Sequence, residues 1–210
     1  TIGTDDSWKT APGPVISSCV FDGETYDATA EIPGWDRAGF NDSAWDPARL
    51  VEAPGGTLLP RRMPAIRVIE HLKPVAITQP KPGVWIVDFG QNFAGVISAR
   101  LRGKAGQQLA FRHAELLVDG ELYVKSLRTA KATATYICAD GEQEYSPRLT
   151  YMGFRYVGVR GIAPEDLELS AIVLYSDFEE VGEFACSNSL VNKLNDNIRW
   201  GGRSNFVDIP

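Results

Sequence analysis

Val96-Ile97-Ser98-Ala99-Arg100-Leu101 and, a short polar gap later, Gln108-Leu109-Ala110-Phe111-Arg112-His113-Ala114-Glu115 decide how this chain folds. Successive side chains of a strand point to opposite faces. Ile97, Ala99 and Leu101 therefore share one face of the first stretch, and Leu109, Phe111 and His113 share one face of the second. Working outward, Thr133–Cys138, Phe154–Arg160 and Leu167–Tyr175 read as further strands, separated by Gly, Asp, Asn and Pro and with no long helical period between them. That spacing predicts an all-β chain of antiparallel sheets packed as sandwiches. Asp-Gly-Glu recurs at 22–24, 119–121 and 140–142, and each copy reads as a hairpin turn, because Asp and Gly tolerate the positive φ that tight turns need.

Two changes of texture divide the chain. Pro60, Pro64, Pro74, Pro80 and Pro82 bracket Ile66–Val68, a candidate connecting strand, and place a boundary between two sandwich units, residues 1–68 and 69–178. After Phe184, Ser187 or Asn188 can cap a short C-terminal helix that carries Leu190, Val191, Leu194 and Ile198 at helical spacing and ends near Gly201-Gly202. Residues 179–210 thus read as a linker and helix. An amphipathic helix trailing an all-β region needs a partner for its apolar stripe, expected downstream.

Hydrophobic residues at 44% and charged residues at 23% are ordinary globular usage, which excludes a disordered or fibrous class. The net charge of −6 repels a phosphate backbone, so nucleic acid is not expected as a partner. No apolar run is long enough to span a bilayer, and no membrane partner is expected. Thr1-Ile2-Gly3-Thr4-Asp5-Asp6 lacks a basic and an apolar leader region and reads as an internal start, leaving cytoplasmic and secreted localisation both open. Cys19, Cys138 and Cys186 stand far apart without metal-knuckle spacing; no metal site is expected from them, and buried free thiols are the expectation.

Chemistry-bearing residues are few. His71 and His113 are the two histidines, and neither lies in a nucleophile motif. His113 and Glu115, two apart on a strand, would point the same way and form a candidate acid/base pair, with a purely structural pair the favoured reading. Asp88-Phe89-Gly90 spells the kinase magnesium motif without its accompanying loops. Asn41-Asp42-Ser43 matches a glycosylation sequon and equally a polar turn, the favoured reading. Trp35 and Trp45 lie in polar sequence near Asp36, Asn41, Asp42 and Asp46. An indole stacks on the apolar face of a pyranose while carboxylates and amides take its hydroxyls, so Trp35, Asp36, Asn41 and Asp42 are the candidate carbohydrate-binding residues. Trp85 and Trp200 read as packing residues. Glycoside hydrolysis needs two carboxylates roughly 5–9.5 Å apart, and no pair is marked out for it.

Asp88-Phe89-Gly90-Gln91-Asn92-Phe93-Ala94-Gly95, followed by Arg112-His113-Ala114-Glu115, Lys131–Tyr136, Tyr145-Ser146-Pro147-Arg148, Gly153-Phe154-Arg155-Tyr156-Val157 and Tyr175-Ser176-Asp177, resembles the concanavalin-like, jelly-roll sandwich of bacterial α-L-rhamnosidases. Upstream, Phe21–Ala28, Pro33-Gly34-Trp35 and Phe40–Trp45 are similar to the end of that family's N-terminal sandwich. Downstream, Asn197-Ile198, Trp200-Gly201 and Asn205–Pro210 are similar to the entry into its (α/α)6 catalytic barrel. The resemblance implies a glycosidase, a hydrolase of carbohydrate metabolism, whose catalytic carboxylates lie beyond Pro210; no catalytic residue is carried over to this chain, which is expected to be an inactive fragment. Its expected partners are the barrel of the same protein and a rhamnose-containing saccharide or glycoside. Cofactors are expected to be none, with one alternative. Some members use a sandwich of the N-terminal type as a calcium-dependent rhamnose-binding module, although Cys19 stands here where many relatives carry an acid, and calcium prefers oxygen ligands.

Overall fold

The computed structural model describes residues 3–53 and 55–208. Thr1, Ile2, Pro54, Ile209 and Pro210, and with them the ends of the Thr1–Asp6 and Asn205–Pro210 stretches, lie outside the described residues. In chain order the strands are β1 (Lys9–Thr10), β2 (Val15–Cys19), β3 (Gly23–Asp27), β4 (Asp46–Pro47), β5 (Ile66–Leu72), β6 (Ala76–Lys81) and β7 (Val84–Gly103). They continue as β8 (Gln108–Ala114), β9 (Leu116–Val118), β10 (Glu121–Tyr123), β11 (Thr133–Ile137), β12 (Gly141–Tyr145), β13 (Met152–Arg160) and β14 (Leu167–Ser176), before helix α1 (Ser189–Asn205).

The six-residue run read as a strand from Val96 is the second half of β7, which is 20 residues long. Its first half, Val84–Asp88, lies between β6 and β13; its second half pairs with β14 and, from Ala99 to Gly103, with β12. Gly95 is where the exchange happens, opposite Met152 of β13 and Val173 of β14. Around it the alternation of a half-buried strand stops: residues 93–97 are all buried. A β-carbon on Gly95 would stand 2.0 Å from the Ile172 carbonyl oxygen, so no larger residue lets β14 approach.

Because one strand serves both sets of neighbours, the main sheet curls on itself and encloses a single core. Leu109 and Phe111 of β8, Tyr136 of β11, Phe154, Val157 and Val159 of β13 and Leu169, Ala171 and Val173 of β14 join one apolar cluster with Val87, Ile97 and Leu101 of β7. Tyr136 and Tyr145, on strands that do not pair with each other, stack with ring centroids 4.5 Å apart across this interior. The all-β expectation with one C-terminal helix holds.

Residues 15–27 belong to that same sheet. The hairpin β2–β3 adds to it through β11, residues Thr25–Asp27 running parallel to Thr135–Ile137, which departs from the expected all-antiparallel pairing. Glu24, only 2% exposed, fixes the hairpin from inside. Its carboxylate accepts from the Tyr145 hydroxyl (3.2 Å) and from the Arg148 and Leu149 amides (3.2 and 3.1 Å). Such a buried anion is tolerated because its lone pairs are filled. β5, the candidate connecting strand, extends the opposite edge against β14.

Two Asp-Gly-Glu copies turn hairpins, β2–β3 and β9–β10, the latter with Asp119 and Gly120 at φ 52° and 77°. The third is a correction. Gly141, at φ 91°, leads from β11 into β12, which are not hydrogen-bonded to each other, so this copy turns a corner between strands on opposite sides of the core. The thiols are a second correction: Cys138 is buried, but Cys19 and Cys186 are exposed. Helix α1 is capped by Asn188, whose Oδ1 accepts from the Leu190 and Val191 amides, and it runs through Gly201-Gly202 to Asn205. Two glycines cost a helix about 2 kcal/mol relative to alanine; here the last turn is tied down, the Ser176 amide donating to the Phe206 carbonyl at 2.7 Å and Trp200 packing on the core.

Gly95→Ala is expected to destabilise the chain by about 3 kcal/mol or more, since the contact is backbone and cannot move aside. Urea unfolding measures this, and a midpoint within error of the parent would rule out the strand exchange at Gly95 as a constraint.

Candidate functional site

The Trp35 loop hangs on short-range bonds. Trp35 is 62% exposed, and Asp36 and Asn41 are exposed beside it. Asn41 Oδ1 accepts from the Ser43 amide at 3.1 Å and the Trp45 amide donates to the Asp42 carbonyl, so the sequon stretch is a polar turn, as favoured. Trp45 packs on Phe40, ring centroids 5.6 Å apart. Lys9 Nζ stands 2.8 Å from the Asp42 carboxylate and holds its pKa below the usual carboxylate range. The Asn41 amide oxygen and the Asp42 carboxylate are thus engaged already, the latter by an ammonium. Among the described residues no three His, Cys, Asp or Glu side chains are grouped as for a metal ion.

The expected His113–Glu115 pair is not brought together. His113 ends the inward row of β8, 1% exposed, its ring edge-on to Phe154 with centroids 4.7 Å apart. Its Nδ1 lies 3.0 Å from the Ala132 carbonyl oxygen and donates to it in the neutral tautomer. Burial depresses its pKa to about 4. β8 stops at Ala114, and the bend at Glu115 breaks the two-residue period, turning that carboxylate outward, where Asn92 Nδ2 donates to it at 3.0 Å.

Glu115 instead lines a cavity of about 350 Å3 between sheet and helix. Gln91, Asn92 and Glu115 form one wall; Asn197, Trp200 and Asn205 of α1 form the other. The sheet wall is built by the bend before Gly95. Asp88 accepts two hydrogen bonds from Arg155, at 2.8 and 2.9 Å, and one from the Gly90 amide at 2.7 Å, with Gly90 at φ 76°. The guanidinium holds the Asp88 carboxyl below the usual range. A bulge between Phe154 and Tyr156 turns Arg155 to meet it. Amides, one carboxylate and an indole can hold hydroxyl groups or a polar segment of chain, but a single carboxylate cannot supply the acid and base of glycoside hydrolysis.

Helix α1 closes the cavity with its C-terminal half, where Arg203 lies over Trp200 and pairs with Glu180 of the linker, as Arg199 also does. Its N-terminal half is bare. Leu190 is 78% and Ile198 64% exposed, with Val191 and Leu194 between them also exposed, and no residue of the helix is buried. No helix among the described residues is long and apolar enough to cross a membrane. Trp85 and Trp200 pack on the core, as their sequence context indicated.

A curled sheet around one core, closed at one side by a half-bare helix and lacking a carboxylate pair in its cavity, defines a concanavalin-like all-β protein. Its relatives are specific. The model of the bacterial alpha-L-rhamnosidase concanavalin-like domain matches residues 78–175, that of the alpha-L-rhamnosidase N-terminal domain residues 1–70, and that of the bacterial alpha-L-rhamnosidase 6 hairpin glycosidase domain residues 179–210. The chain belongs to the bacterial α-L-rhamnosidase family. An alpha-L-rhamnosidase of Streptomyces avermitilis is 39% identical over 219 residues, covering 100% of this chain and 21% of the relative. The structure of alpha-L-rhamnosidase from Dictyoglumus thermophilum superposes over 100% of this chain and 24% of its own with a TM-score of 0.95 at 42% identity. That of the Streptomyces avermitilis alpha-L-rhamnosidase complexed with L-rhamnose does so over 100% and 21%, with a TM-score of 0.95 at 37% identity. The chain therefore spans about a quarter or less of the relatives it matches.

His113 makes stability depend on pH. Its folded pKa of about 4 lies below the unfolded value near 6.5, so the unfolded chain binds the extra proton between those values. Stability from its neutral form is full above pH 6.5 and falls by on the order of 3 kcal/mol as pH drops toward 4. His113→Phe is expected to flatten the unfolding free energy over that window; an unchanged slope would show that His113 does not carry it.

Proposed function

We propose that this chain is the non-catalytic part of an α-L-rhamnosidase, a glycoside hydrolase that removes terminal α-L-rhamnosyl residues from glycosides, and that it serves as the scaffold for the catalytic barrel. The observation that carries this reading is helix α1: well capped and docked at one end, it leaves Leu190, Val191, Leu194 and Ile198 uncovered, and it falls within the stretch matching the hairpin glycosidase domain. Further helices of that domain would cover the stripe. Leu50, Val51, Leu58 and Leu59 are likewise exposed. Their exposure is compatible with the finer organisation in which residues 1–68 are the end of a first sandwich, 69–178 a second, and 179–210 the linker and first helix of the barrel, with β2, β3 and β5 of the first stretch paired into the sheet of the second. The substrate, a rhamnose-containing glycoside, is proposed from the relatives.

A test replaces the matching stretch of the Streptomyces avermitilis relative by residues 1–210 of this chain. The chimera is expected to hydrolyse p-nitrophenyl α-L-rhamnoside, whereas the 210-residue chain alone releases no nitrophenol. Leu194→Asp with Ile198→Asp is expected to abolish activity in the chimera while changing the isolated chain's stability by less than about 1 kcal/mol, since both side chains are exposed there. A folded but inactive chimera, or turnover by the chain alone, would overturn the reading.

A further inference from the structure

A second cavity lies on the outward face of the sheet. The hairpin β9–β10 folds back over β8, β13 and the first half of β7 and leaves a trough of about 280 Å3 beside it. Ala110, Gly158, Val84 and Ile86 line it from the sheet, small or apolar where an outward face ordinarily carries long polar side chains. Gly158 admits the hairpin, because a β-carbon there would come within 2.7 Å of Leu122 Cδ1.

The charged rim is incompletely paired. Lys81 is matched by Glu121 at 2.7 Å, and the described ion pairs of the sheet also engage Arg100, Arg102 and Arg155. Arg112 and Arg160, both exposed, have no ion-pair partner among the described residues. The register sets Arg112 opposite Gly158 and Arg160 opposite Ala110, which makes the two arginines diagonal neighbours on one face, with Cα atoms roughly 7–8 Å apart. Two like charges so placed repel, and an anion between them removes that cost. Guanidinium forks match a carboxylate two bonds at a time. A bare phosphate would use the forks but leave the half-buried Leu122 and Val84 wet. A sugar acid uses both, its carboxylate between the arginines and the C–H face of its ring on the apolar surface.

We propose that this trough binds an acidic sugar, a hexuronate unit of an oligosaccharide, between Arg112 and Arg160. The choice of a sugar over another carboxylate rests on the glycosidase reading above; the site itself rests on the trough and its two arginines. At about 280 Å3 the trough sits near the small end of ligand pockets, roughly 300–1,000 Å3, enough for one ring and part of its neighbour.

Calorimetric titration of the 210-residue chain with digalacturonate is expected to saturate, and to weaken at least tenfold with the dimethyl ester, which keeps the rings and removes the charge. Arg112→Gln and Arg160→Gln are each expected to weaken digalacturonate tenfold or more while leaving the thermal midpoint in place, since both side chains are exposed and unpaired. Equal affinity for acid and ester, absence of saturation, or indifference to both variants would overturn the proposal. Inorganic phosphate bound as tightly as digalacturonate would overturn it too, by making the trough a free-anion site. Binding is read here without hydrolysis, so its failure and the failure of the rhamnosidase reading are separate results.

Discussion

A backbone offers one row of hydrogen-bonding groups to each side, so a strand that serves two pairs of neighbours must exchange one pair for the other along its length. β7 does this at Gly95, and much else follows from it. The exchange brings β14 across the core from β8 and β11, which gives one apolar interior. It also requires a bend just before the exchange, and that bend is where polar groups collect: Asp88 tied to Arg155 and Gly90, then Asn92 reaching Glu115. The cavity beneath α1 is thus a by-product of how the sheet closes.

That origin bears on chemistry. Residues that hold a bend are spoken for: Asp88 by a guanidinium, Glu115 by an amide, His113 by a carbonyl and the packing of Phe154. The cavity beneath α1 supplies no second carboxylate beside Glu115. Under the proposed reading, the reacting groups come from the barrel, and the exposed stripe of α1 is where that barrel would join.

Much of the fold was legible because it rests on period and turn chemistry. The inward rows of β8 and of the second half of β7 followed from alternation, β11, β13 and β14 from their strand-like runs, the helix cap at Ser187 or Asn188 from residue type, and two of three Asp-Gly-Glu hairpins from backbone preference. What was illegible depended on contacts distant in sequence. Gly95 reads as an ordinary glycine until Ile172 is placed above it. Glu24 reads as a turn residue until Tyr145, Arg148 and Leu149 converge on it. Asp140-Gly141-Glu142 has the composition of a hairpin and joins strands that never pair. For the site, alternation placed His113 and Glu115 on one side, but strand β8 ends between them. The trough of Arg112 and Arg160 carried no ligand-binding motif, since it needs a register and a folded-back hairpin to exist.

The hairpin β2–β3 lies within the stretch that matches one family domain, yet it is hydrogen-bonded into the sheet of the next and carries the buried Glu24 into it. The seam between the two domains in sequence is therefore not a seam in the folded molecule. Severing the chain near residue 70 would strip β11 of its neighbour and leave three donors facing an empty place, with a raw sheet edge ready to pair with another molecule. Recombination that shuffles domains at sequence boundaries would be penalised here, and the two are expected to pass together from gene to gene as one heritable block.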